Sequence, residues 1–288
     1  MFRAALASGI FLGSIYAMVA SGLNLIFGVV KIINFAHGAL LALGMYMAYF
    51  LITLAGFDPY LTLPVVVVAM FLVGWAIQSG IINRIMDSDR TSQLLITFGL
   101  ALMVQNGAIM LWGHEYRSAT VPYARKVFDI LGIRFSFAAL LALTGSAISL
   151  VLLYLFLHRT RTGTAIRAVS QQPDSAALAG INVKSIYGIA FGVGSAMVGV
   201  AAVFMVPIYF VQPSVGDPFV LMAFITVVLG GLGSVWGAAA AGMMLGVIQN
   251  LFATMVNVEM APTFVFLVFM VIMFFRPYGL FGRTERIS

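Results

Sequence analysis

FVLMAFITVVLGGLGSVWGAAAAGMMLGVIQNLF, residues 219–252, is an apolar run of roughly 34 residues without a single charge. As one helix it would be about 50 Å long. The hydrocarbon core of a bilayer is only about 30 Å thick. The run must therefore fold back, and its centre, GGLGSVWG (230–237), is where it can. Glycine tolerates the backbone angles of a tight reversal and lets two backbones approach closely. The stretch reads as two membrane segments joined by a glycine turn, and that reading extends to the whole chain.

Of the 288 residues, 15 are Lys or Arg and 9 are Asp or Glu, which makes 8% charged, while 62% are hydrophobic. Soluble domains carry about 25% charge. With a mean hydropathy of +1.08, a soluble fold would expose apolar patches far beyond the few hundred Å² that monomers tolerate. A soluble enzyme, a nucleic-acid binder and a disordered protein are excluded, and a bilayer is required. The net charge of +6 would suggest nucleic acid in a soluble protein. In a membrane chain it reflects the gathering of Lys and Arg in cytoplasmic loops. Cysteine is absent, which removes disulfides, thiolate metal sites and cysteine nucleophiles.

Working outward, apolar spans are expected at about 4–30, 36–55, 61–82, 94–112, 136–157, 186–210 and 263–275, besides the two segments of 219–252. The first is too long for a signal-peptide core. Polar breaks fall at 83–93, 113–135 and 158–184, and Asp217-Pro218 marks a turn. The fold class is all-α: a polytopic integral membrane protein of about eight transmembrane or re-entrant helices. The chain reads as one membrane domain over 1–288. Gly-rich regions in both halves (Gly38 and Gly44; Gly230, Gly231, Gly233, Gly237 and Gly242) suggest an internal pseudo-repeat. They also serve as packing or hinge points.

If the C-terminus is cytoplasmic, ten basic residues lie inside: Lys31, Arg84, Arg90, Arg159, Arg161, Arg167, Lys184, Arg276, Arg283 and Arg286. Five lie outside: Arg3, Arg117, Arg125, Lys126 and Arg134. An external N-terminus and a cytoplasmic C-terminus follow. On this reading no charge lies deep in a span, which argues against a proton-coupled pump and a charged-ring channel. A sodium-coupled carrier using backbone and amide ligands stays open.

The polar residues inside spans are mainly Asn24, Gln78, Gln105, Asn106, Gln249 and Asn250, with Asn34 and His37 near a boundary. Interhelical hydrogen bonds explain most such residues. Asn24, Asn34 and His37 cluster around one Gly-rich segment and are the candidates for a translocation path. No catalytic or metal site is expected. HExxH, G-x-S-x-G and Walker A patterns are absent, so any ATP must be bound by another subunit.

The loop at 158–184 carries the sharpest local signal. Ile166 and Val169 stand at i,i+3 after Gly163. Gln172-Pro173-Asp174 reads as a second helix start, and Gly180 reads as a left-handed cap. Two short helices joined by a turn would make a rigid knob suited to docking in a partner's groove. An amphipathic loop lying on the membrane is the other reading.

GTAIRAVSQQPDSAALAGINV (163–183) resembles the cytoplasmic loop of bacterial ABC-importer permeases for branched-chain amino acids, of the LivH type. GLNLIFGVVKIINFAHGALLALGMY (22–46) resembles the family's N-terminal signature, VVLGGLGSVWGAAAAG (227–242) its C-terminal signature, and FRPYGLFG (275–282) its closing motif. The resemblance spans nearly the whole chain. It implies a permease in the bacterial inner membrane, one half of a heterodimer with a second related permease. Two cytoplasmic ATPases would bind ATP and Mg, and a periplasmic binding protein would deliver leucine, isoleucine or valine. Arg167, Ala168, Asp174, Ala177, Gly180, Ile181 and Asn182 match the ATPase-coupling loop. Related permeases serve urea, short amides or other amino acids. A stand-alone amino-acid carrier and a non-transporting scaffold are the readings of other classes.

Overall fold

The computed structural model describes residues 2–119, 121, 123, 126–130, 133–277 and 279–281. Arg125, Arg283, Arg286, Tyr278 and Gly282 lie outside the described residues, as does the side chain of Arg134.

Eleven α-helices are described in chain order: α1 (Phe2–Val30), α2 (His37–Thr53), α3 (Leu63–Gly80), α4 (Arg90–Trp112), α5 (Phe137–Arg159), α6 (Arg161–Gln171), α7 (Pro173–Leu178), α8 (Val183–Met205), α9 (Asp217–Gly230), α10 (Val235–Met255) and α11 (Ala261–Phe275). Six are long and apolar enough to cross a membrane, and α2, α9 and α11 are shorter apolar helices. The sequence reading of about eight thus becomes nine apolar helices among the described residues. The polar stretch 113–135 adds what an all-α reading did not foresee, a small antiparallel hairpin of β1 (Val127–Ile130) and β2 (Ile133–Ser136). Tyr123 lies beside it and donates its phenol proton to Asp58. Burial, reinforced by that carboxylate, pushes the phenol pKa up.

Two faces follow from the helix ends. One carries the hairpin, the start of α1 and the ends of α4 and α10. The other carries α6, α7 and the ends of α1, α5 and α9. Buried in the centre are α1 and α8, with 78% and 89% of their most apolar stretches enclosed, against 17% for α4. They cross in opposite directions at Gly22 and Gly194. A Cβ on Gly22 would sit 2.5 Å from the Gly194 carbonyl oxygen, and one on Gly194 2.7 Å from that of Gly22. The outer partners are exchanged in the same way: α10 lies along α1, and α3 lies along α8. This reciprocity is that of an inverted repeat, in which α1–α3 correspond to α8–α10.

The repeat's middle members are broken. After α1, residues 31–36 run back into the bundle as irregular chain, and α2 starts inside it, where His37 Nε2 lies 3.0 Å from the Val19 carbonyl. In the second half, residues 206–216 return from the hairpin face and α9 starts beside α2. A Cβ on Gly38 would meet the Gly216 carbonyl at 2.7 Å. Two helix starts therefore meet within the bundle. The glycine turn expected in 219–252 is present: α9 ends at Gly230 and α10 begins at Val235. Gly231 (φ 93°) and Gly233 (φ 83°) are in the left-handed region between them.

Candidate functional site: a docking knob and a broken-helix face

The loop at 158–184 folds as two helices, α6 and α7, on one face of the bundle. Thr160 caps α6, its hydroxyl accepting the Gly163 N–H at 2.9 Å. Gly163, Ile166 and Val169 turn inward and are buried, so the i,i+3 spacing does set α6 against the bundle. Pro173 opens α7 with Asp174 in its first turn. The helix closes with Gly180 at φ 84°. The Gly180 N–H donates to Ala177 O at 2.9 Å, and the Ile181 N–H to Ala176 O at 3.0 Å. This pair of bonds is the Schellman closure. Asn182 then caps α8, accepting the Ser185 N–H at 3.1 Å.

Arg167, Asp174, Ala177, Gly180 and Asn182 are exposed on this knob, while Ala168 and Ile181 are half-buried. Leu178, at the tip, is 91% exposed. Sequence reasoning does not single it out. Its signal was a leucine flanked by alanines in a helix of one and a half turns, too short to hide both faces.

The residues expected on the path are placed differently from one another. Asn24 is buried in α1, and its Oδ1 accepts the Gly233 N–H at 2.8 Å across 209 residues. It ties the first signature to the glycine turn of the second. Asn34 and His37 are fully buried in the re-entering segment. Asn34 Oδ1 accepts the Ala36 N–H at 3.1 Å. The Nδ2 atoms of Asn24 and Asn34 and Nδ1 of His37 find no hydrogen-bond partner among the described residues. Asn34 and His37 thus sit together at the 31–36 break, while Asn24 is engaged by the separate glycine turn at Gly233. Gly230 and Gly237 meet across the turn: a Cβ on Gly230 would come within 2.5 Å of Ala238 N.

A polar and aromatic face flanks these breaks. Near the α6 face, Lys31, Ile33, Arg90, Gln93 and Gln171 help line a cleft of about 560 Å³. Arg90 opens α4 behind Asp89, whose carboxylate caps the helix through Ser92. Those bonds, chiefly from the Ser92 hydroxyl, hold the Asp89 pKa below the usual carboxylate range. Deeper in, the Phe35 ring meets Phe98 at 6.3 Å and Phe224 at 5.2 Å. Beyond them Gln105 Nε2 donates to Asp217 Oδ2 at 3.2 Å. Gln105 is seven residues, or about 10 Å, inside the Trp112 end of α4. Asp217 is thus level with a residue well inside the length of α4, although it opens its own short helix and lies in none of the six spanning helices. Asp217 marks a turn, as read, but the chain carries that turn inward because α9 is a half-length element.

Comparison with known proteins settles the family. The profile described as "Branched-chain amino acid transport system / permease component" matches residues 5–275. The chain belongs to this permease family. The permease is 30% identical to the high-affinity branched-chain amino acid transport system permease protein BraD of Pseudomonas aeruginosa, over 97% of this chain and 95% of BraD. It is 29% identical to LivH of Salmonella typhimurium and 28% to LivH of Escherichia coli, each over 96% of this chain and 94% of the relative. Among solved structures, PsaBC from Streptococcus pneumoniae in complex with Fab superposes with a TM-score of 0.52. The identity is 14%, covering 96% of this chain and 92% of that one. This likeness concerns the fold alone. The permease is thus a multi-pass membrane transport component rather than an enzyme.

Proposed function

We propose that this permease is the transmembrane subunit of an ATP-driven importer that carries leucine, isoleucine or valine into the cytoplasm. The observation that carries the reading is the rigid α6–α7 knob with its uncovered Leu178, on a chain that matches branched-chain amino acid permeases along nearly its full length. ATP and Mg are bound by two cytoplasmic ATPase subunits. The knob, with Arg167, Ala168, Asp174, Ala177, Gly180, Ile181 and Asn182, docks on one of them and passes its closure to the spans. A second related permease completes the channel and a periplasmic binding protein supplies the substrate.

The chain is oriented with the hairpin face outward and the α6 face in the cytoplasm. Supporting this, Lys31, Arg84, Arg90, Arg159, Arg161, Arg167, Lys184 and Arg276 all fall at helix ends or loops of the α6 face. Arg3, Arg117 and Lys126 fall on the other face. Cytoplasmic loops collect Lys and Arg in this way. Asn24, Asn34 and His37 hold the broken segments that border the path, and Gly230, Gly231, Gly233 and Gly237 form its hinge.

The direct test is uptake into proteoliposomes containing both permeases and the ATPases, with binding protein supplied outside. Leucine uptake should require ATP and the binding protein and should disappear for Leu178→Asp. Uptake that persists without ATPase subunits would replace this reading with that of a stand-alone carrier. A panel including urea and short amides separates the substrate classes.

A further inference from the structure

Helices α4 and α9 run in opposite directions on either side of the re-entering segment 31–36. On α9, Asp217, Leu221 and Phe224 follow at i, i+4 and i+7. On α4, Gln105, Leu102 and Phe98 follow in the reverse direction at i, i−3 and i−7. Residues at these spacings share a helix face. The two stripes match level by level. Gln105 bonds Asp217 at one level, and Phe98 and Phe224 both touch the Phe35 ring about 10 Å further in. Between these levels, Leu102 and Leu221 are exposed. The result is a face with a carboxylate at its outer level, exposed leucines along it and an aromatic cluster at its inner end.

Lipid over such a face comes at a cost. A charged side chain at this depth is costly unless it faces water or a partner charge. Asp217 is exposed on the face of the chain, and among the described residues the only side chain bonded to it is Gln105, a neutral amide. A carboxylate has about four acceptor sites, so most of its capacity is open to a donor. An ammonium group supplies a positive charge and three donors.

Resting on the proposal that this permease passes branched-chain amino acids, we infer that Asp217, oriented by Gln105, holds the ammonium group of the passing amino acid while its aliphatic side chain lies along Leu102 and Leu221 above the Phe35–Phe98–Phe224 cluster. The station is a weak one. One carboxylate and an apolar face favour the zwitterion's amine end without trapping it, as passage requires. Gln105 is a positioning residue, and Asp217 is the contact residue.

The absence of cysteine from this chain makes the test clean. In the assembled complex with both permeases and the ATPases, Leu221→Cys, one turn along α9 from an intact Asp217, should react with a methanethiosulfonate bearing an ethylammonium group. It should react about tenfold more slowly while leucine-loaded binding protein and ATP drive turnover. Phe266→Cys, on the exposed side of α11, should stay unmodified in the bilayer. In the uptake assay D217N should lose about tenfold or more in rate, as for a missing charged hydrogen bond. D217E should recover part of it, and the ATPases should co-purify at normal yield in both. Gln105→Leu should raise the apparent KM more than it lowers the maximal rate. An unreactive Leu221→Cys would mean that lipid or the second permease covers this face, and the inference would be wrong. D217N transporting at the wild-type rate would overturn it equally. If the wild-type complex takes up no leucine while Leu221→Cys reacts faster with the cationic reagent than with an anionic one, and D217N removes that preference, the cation-accepting face stands and the branched-chain substrate reading fails.

Discussion

Gly180 shows how much can hang on one backbone conformation. It sits at φ 84° with open space around the position a Cβ would take. A substitution there meets no neighbour, so its cost is purely conformational, roughly 1–2 kcal/mol for an L residue and more for a β-branched one. Gly180→Val should loosen the Schellman closure of α7, abolish transport-coupled ATP hydrolysis and leave membrane insertion normal. Gly180→Asn, which tolerates this conformation, should retain most activity. Uptake and ATPase assays on membranes with matched permease content check both.

Lys31 offers the opposite experiment. It is the one non-glycine residue with positive φ (61°) among the described residues, at the reversal where α1 ends. Lys31→Gly relieves that strain and should raise the stability of the solubilised permease by about 1 kcal/mol, read as a higher Tm. A lower Tm would mean that the Lys31 side chain in the cleft matters more than its backbone.

At the scale of elements, Asn24 does what helix packing alone could not. Its carboxamide holds the Gly233 N–H at 2.8 Å, so the turn between α9 and α10 is anchored to α1. Asn24→Ala leaves that N–H without its partner, at a cost of about 1–3 kcal/mol. The expected result is a lower Tm and faster proteolysis in the 230–237 turn, with α1 itself intact. Asn24→Asp keeps the acceptor and should protect the turn better than Asn24→Ala.

The element scale also separates what could be read from the chain and what could not. The amphipathic spacing of Ile166 and Val169, the Pro173 start and the Gly180 cap are local signals, and α6 and α7 formed where those signals placed them. The break in 219–252 was legible because 34 apolar residues exceed a membrane's thickness. The pairing of Val127–Ile130 with Ile133–Ser136 was not foreseen, because four-residue strands are too short for their alternation to stand out among the charges of 113–135. The inward start of α9 was not legible either: Asp217-Pro218 is a good turn signal at any depth, and depth is set by what the neighbouring helices allow.

For the whole molecule, the inverted pairing of α1 with α8 places the two broken elements, α2 and α9, on one side of the centre. Their starts meet at Gly38 and Gly216, and the least enclosed long helix, α4, lies beside them. The heterodimeric assembly proposed above would cover that face. The proposed orientation makes a prediction at this scale. Leu178→Cys on α7 should be labelled by a membrane-impermeant maleimide only in inside-out vesicles. Glu259→Cys, in the turn between α10 and α11, should be labelled only in right-side-out cells. The reverse pattern would invert the chain and set the basic-loop argument aside.

The sequence alone determined that this is a membrane protein, where most spans lie, and where the start and cap signals of 163–183 fall. Each of these depends on composition, run length or neighbours within a few residues, and such information is local. Only the tertiary structure decided that α2 and α9 begin inside the bundle, that Asn24 reaches a glycine turn 209 residues away, and that Asp217 stands with Gln105 about 10 Å inside the end of α4. The physical reason is that hydropathy records what a segment can tolerate. Depth and facing come from close contacts between backbones far apart in the chain, and no local pattern records those.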